Sequence, residues 1–166
     1  MKRKSKMVAL GGILAAICLI CLYLAVYLPA NRLFFYSLAS IFVSFIILES
    51  GTKYGWSFYI ATSALSMFII PNKISLLPYL VFFGIYGIIK CYIESINLMP
   101  LELILKGLFF LSCEGILYIL YSQVFIINIS LKLPLYGVFG IFLAVFFIYD
   151  YIYTKIVAFY KVRFMS

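Results

Sequence analysis

The chain has no histidine, only five acidic residues, and a charged fraction of 11% over 166 residues. Each shortage removes a class of function. Cys18-x-x-Cys21 has the spacing of a redox or metal pair. It sits in an apolar stretch with no imidazole anywhere to complete a site, so packing is its expected role, as it is for Cys91 and Cys113. No glycine-rich phosphate loop occurs and no two carboxylates stand close in sequence, so the common enzyme signatures are missing. An enzyme is not expected, nor a cofactor or a metal. The net charge of +8 comes from isolated basic residues that draw no basic groove, which excludes nucleic acid as a partner.

What the chain has instead is apolar length. Hydrophobic residues make up 67% of it, against about half in a soluble domain, where about a quarter of residues are charged. A water-facing fold of this size could not hide so much apolar surface. The runs are continuous, without in/out alternation, which favours helices over a membrane barrel. The reading is an all-α polytopic membrane bundle of six transmembrane helices in one domain, 1–166.

The clearest unit is a hairpin. Two apolar runs, 56–70 and 74–89, are joined by Pro71-Asn72-Lys73, a turn composition. Around it, helices are expected at about 8–28, 33–48, 101–121 and 135–153. Loops fall at Pro29-Ala30-Asn31-Arg32, at Glu49-Ser50-Gly51-Thr52-Lys53, at 95–100 and at 122–134, and a basic amphipathic stretch follows at 154–166. The first run is about 21 residues, longer than the about 7–15 of a signal-peptide core, so it is expected to stay as a helix. With six spans, Lys2, Arg3, Lys4, Lys6, Lys53, Lys90, Lys106, Lys155, Lys161 and Arg163 fall on the side of the two ends. Arg32, Lys73 and Lys132 fall on the other. That bias predicts both ends in the cytoplasm.

Glu114 is the one carboxylate well inside a span, and a charge there needs a partner or a task. It lies 13 residues past Leu101, roughly 20 Å along the helix, a depth shared by Ser63 and Ser66, by Tyr79 and by Phe142. Tyr118 is one turn further on the same face. Glu114, Ser63, Ser66, Tyr79 and Tyr118 are expected to line a polar, aromatic cavity open to the outside. The alternative is a protonated or hydrogen-bonded glutamic acid that steadies the bundle. Glu102 and Lys106, four apart, suit a surface ion pair. Asp150 is placed to offset Lys155 or the stretch that follows. The aromatic series Phe139, Phe142, Phe146, Tyr149 and Tyr153 reads as helix packing and interface anchoring.

The first helix carries Gly11-Gly12-x-x-Ala15-Ala16. Gly11 with Ala15, and Gly12 with Ala16, are small pairs four apart, where another backbone can come close. The neighbour is either another helix of the same bundle or a separate membrane subunit. At this turn the chain resembles the substrate-capture (S) components of energy-coupling factor importers, with glycine in place of the first alanine of each pair. The resemblance implies a six-helix protein of the bacterial cytoplasmic membrane. It implies capture of a vitamin or similar micronutrient near the outer face, and docking through the first helix onto a transmembrane coupling subunit driven by an ATPase pair. Ligand contacts would fall to Glu114, Tyr118, Ser63, Ser66 and Tyr79. Length, helix count and composition are also similar to the MreD-like family of envelope-assembly scaffolds, which implies an interaction role without a transported ligand.

Overall fold

The computed structural model describes residues 2–96, 98–124 and 135–165. Among them the fold is all-α, with six helices. Five stretches are long and apolar enough to cross a membrane: Met7–Tyr27, Pro29–Ser50, Lys73–Glu94, Met99–Ser122 and Gly140–Arg163. This is a multi-pass membrane protein. Asn97, Lys132 and most of the expected 122–134 loop lie outside the described residues. The chain divides into two compact units, Met1–Cys91 and Tyr92–Ser166.

The first unit opens with α1 (Lys2–Tyr27), a 3-10 turn at Pro29–Asn31, α2 (Arg32–Ser50) and α3 (Thr52–Ile69). α1 packs along α2, and α3 packs on both. The buried positions follow helical spacing: Cys18, Leu22 and Ala25 on α1, Tyr36, Ala39 and Val43 on α2, Phe58, Thr62 and Ser66 on α3. Of the six helices, α3 is the one that falls outside the five apolar spans found among the described residues. Its hydroxyls explain the lower apolarity; three of them bond to carbonyls of the same helix, while Ser63 Oγ is buried with no hydrogen-bond partner among the described residues. Ser57 donates to Lys53 O at 3.3 Å, Thr62 to Phe58 O at 2.9 Å and Ser66 to Ser63 O at 2.8 Å.

One residue joins α2 to α3. Gly51 has φ +94° and ψ 168°, a region essentially closed to residues with a Cβ. Its N–H closes α2 on Ile47 O at 2.8 Å, and its carbonyl accepts from Tyr54 N at 3.2 Å. At the other end of α3, the expected turn is present. Asn72 Oδ1 accepts from Ser75 N at 3.2 Å, and Lys73 Nζ donates to Ile70 O at 2.8 Å and to Met67 O, capping the last carbonyls of the helix.

The fourth span is not the uniform helix expected over 74–89. It begins as a 3-10 turn at Ile74–Leu76, passes through a π-turn at Tyr79–Phe83 and becomes α4 (Gly84–Glu94). Proline 78 contributes to the irregularity, because it has no N–H to continue the ladder. Tyr79, Phe83, Tyr86 and Lys90 are all buried.

The second unit contains α5 (Met99–Ile119), prolonged by a π-turn at Leu120–Val124, and α6 (Leu135–Met165). Pro100 stands in the first turn of α5, where its missing N–H is harmless, and Glu102 follows where a carboxylate suits the helix dipole. The two helices run antiparallel. Lys106 meets Asp150 and, one turn on along α5 and one turn back along α6, Phe110 stacks on Phe146 at 4.5 Å with 11° between the rings. α6 does not stop at Tyr153. The stretch from Thr154 is a direct continuation of the same 31-residue helix.

Candidate functional site

The five residues expected to line one cavity fall in both units. Ser63, Ser66 and Tyr79 belong to the first, Glu114 and Tyr118 to the second.

In the first unit Tyr79 is completely buried, and its hydroxyl is the centre of a small polar cluster. It shares a 2.9 Å hydrogen bond with Thr62 Oγ1 and stands 3.7 Å from Cys18 Sγ. Cys18 Sγ also lies 3.9 Å from Ala39 O. The cluster thus ties α1, α3 and the fourth span together beneath the surface. Buried polar groups need such partners, and here each one has them. Ser66 is buried on the same face of α3 as Thr62, while Ser63 is half-buried beside it. Neither Cys18 nor Thr62 was legible as a partner of Tyr79. A shared helical face can be read from spacing, but a hydroxyl contact between residues 17 or 61 apart cannot.

The π-turn has its own support. A π-turn leaves a carbonyl outside the regular ladder, and such turns recur at functional sites. Here the Tyr59 hydroxyl donates to Leu80 O at 2.7 Å. To do so the Tyr59 ring packs closely against Gly84. A Cβ at that position would stand 2.5 Å from Tyr59 Cε2, 2.6 Å from Tyr59 Cδ2 and 3.0 Å from Tyr79 O. Gly84 is therefore needed for close approach. Tyr36 adds a further tie by donating its hydroxyl to Ser75 O.

In the second unit Glu114 is half-buried, and its Oε2 is shielded from solvent with no hydrogen-bond partner among the described residues. Tyr118, one turn on, is 38% exposed. Continuing the antiparallel step from Phe110 and Phe146 by one turn places Phe142 at the level of Glu114, as helical depth alone suggests. A carboxylate with an open acceptor beside an accessible phenol can hold a cation or a hydrogen-bond donor.

Lower on the same helices is an ionic cluster that differs from the pairing expected in sequence. Lys106, 5% exposed, turns to Glu94 Oε1 at 2.8 Å and Asp150 Oδ2 at 3.2 Å in place of Glu102. Asp150 is likewise buried and serves Lys106 in place of Lys155, whose ammonium stands 5.4 Å from the Tyr151 ring centroid. Glu94 was missed as a partner. It lies 12 residues before Lys106, a separation with no helical signature. Among the described residues no group of three metal-ligating side chains occurs.

The small residues of α1 divide into two sets. Gly11 and Ala15 are half-buried on the side of Cys18 and Leu22, whereas Gly12 and Ala16 are exposed. Nothing lies within 4 Å of a Cβ placed on Gly12. Comparison with family models, with curated proteins and with solved structures finds no match. The helices themselves identify the chain as an all-α, multi-pass membrane protein.

Proposed function

We propose that this chain is the substrate-capture subunit of an importer of the energy-coupling factor type. It takes a vitamin or similar micronutrient near the outer face of a bacterial cytoplasmic membrane. It docks through α1 onto a transmembrane coupling subunit driven by an ATPase pair. The observation that carries the reading is the open Gly12–Ala16 face. Two small residues one turn apart, exposed on a membrane helix, admit a partner helix at close backbone distance. In lipid such van der Waals contact is a principal drive for association. In this reading α3 also crosses, which makes six spans and puts both ends in the cytoplasm, in line with the distribution of basic residues. Glu114 and Tyr118, both in the second unit, contact the ligand.

Leucine at position 12 or 16 fills the open face without touching the core. Gly12→Leu and Ala16→Leu should yield folded protein with unchanged elution in detergent but no co-purifying coupling subunit. Undiminished co-purification removes the docking role, and loss of the fold returns these residues to internal packing. A partner that co-purifies while mass spectrometry finds no bound small molecule would favour the scaffold reading.

The ligand contact has a separate test. Glu114→Gln keeps shape and removes charge. Binding of the small molecule that mass spectrometry identifies in the purified protein should weaken about tenfold to a hundredfold, the effect of a lost charged hydrogen bond. Unchanged affinity would assign Glu114 to bundle stability.

A further inference from the structure

The far end of α6 stands apart from the rest of its unit. Moving from the Lys106–Asp150 contact toward the start of α5, the antiparallel register brings Val157 level with Met99, the first residue of that helix. Residues 158–165 continue α6 past that point. There most of the described side chains are exposed, Tyr160 being half-buried. Phe159 is 70% exposed and Val162 73%, and Ala158, Lys161 and Arg163 are exposed as well. No acidic residue follows Asp150 up to Ser166, while Lys155, Lys161 and Arg163 all do.

At 31 residues α6 is roughly 46 Å long. A hydrocarbon core is about 30 Å thick, and a bilayer with its headgroup layers about 40–45 Å. The helix therefore matches the whole bilayer, not its core alone. The apolar candidate span itself runs to Arg163, so this end belongs in the interfacial layer, where exposed Phe159 and Val162 are at home and long basic side chains reach phosphates. The three cations also point in different directions. At 3.6 residues per turn, Lys155, Lys161 and Arg163 are spaced around the axis by roughly 80–160°. A partner helix would need them on one face. A headgroup layer surrounds the helix and meets all three.

We propose that residues 155–163 of α6 form a basic collar that binds anionic lipid headgroups, with Lys155, Lys161 and Arg163 contacting phosphates and Phe159 seated among the upper acyl carbons. The collar is independent of ligand capture and of docking through α1. The test uses the full chain with its tryptophan moved, Trp56→Phe with Phe159→Trp, inserted into phosphatidylcholine vesicles with and without phosphatidylglycerol. With phosphatidylglycerol present, emission should shift to the blue and acrylamide quenching should fall. Lys161→Gln with Arg163→Gln should abolish that difference, and the charge-conserving pair Lys161→Arg with Arg163→Lys should retain it. Protection that is equal in both lipids and unchanged by the glutamine pair overturns the proposal, because the end is then held without anionic headgroups. A fully quenched tryptophan in both lipids also overturns it, because the end then projects into water.

Discussion

Replacing Lys106 with methionine will destabilise the protein by about 3–5 kcal/mol, the usual consequence of removing one partner from a buried ion pair. The lysine is 5% exposed and holds two carboxylates of different standing. The Glu94 side chain is 38% exposed and can turn to water when its partner goes, whereas that of Asp150 is 10% exposed and cannot. The loss therefore falls mainly on Asp150, whose contact with Lys106 is made in the packed interior. It follows that Lys106→Met with Asp150→Asn will be more stable than Lys106→Met alone, while Lys106→Met with Glu94→Gln will recover little. Reversible unfolding of the detergent-solubilised full chain measures all three. Additive losses in the double variants would mean that the cluster does not act as a unit.

Gly84→Ala will cost about 2–6 kcal/mol. Two effects combine. Overpacking a tight site costs about 1–3 kcal/mol, and a buried carbonyl stripped of its donor about the same. The added methyl would sit 2.5 Å from the Tyr59 ring, so the ring must leave. Its hydroxyl then loses Leu80 O, a contact now 2.7 Å long. Tyr59→Phe separates the effects, because it removes the hydrogen bond and leaves the ring in place. In a Tyr59→Ala background the clash is gone, and Gly84→Ala should become nearly silent apart from its 3.0 Å approach to Tyr79 O. An unchanged cost there would put the strain in the backbone of the π-turn instead of the ring. The same measurement serves, with far-ultraviolet circular dichroism to show that the helices persist.

How much of this was legible depends on the range of the interaction. The spans are visible because lipid imposes long apolar runs, and the Pro71-Asn72-Lys73 turn is visible because its chemistry is local. Glu114 stands out for the same reason, as an acid among apolar neighbours. The Lys106 cluster is different. Glu102 at four residues and Glu94 at twelve are both available, and the choice is made by where α4, α5 and α6 end. Hydropathy also misjudged the length of α6. Charge appears after Tyr153, yet residues 154–165 contain neither glycine nor proline, so nothing there stops the helix. At Tyr79–Phe83 Pro78 is a visible irregularity, but a π-turn and a 3-10 turn answer it equally well until Tyr59 and Gly84 supply the missing contact.

The single glycine between α2 and α3 bears on how the chain enters a membrane during synthesis. With only Gly51 between Ser50 and Thr52, no spacer separates the two helices. They form one hairpin, with a corner too short to stand as a separate loop. α2 supplies the apolarity that α3 lacks, and in α3 the hydroxyls of Ser57, Thr62 and Ser66 are bonded to carbonyls of their own helix. If α3 crosses, as in the proposed function, the unit of insertion is the pair, and the helix that looks least suited to lipid is carried by the neighbour synthesised immediately before it.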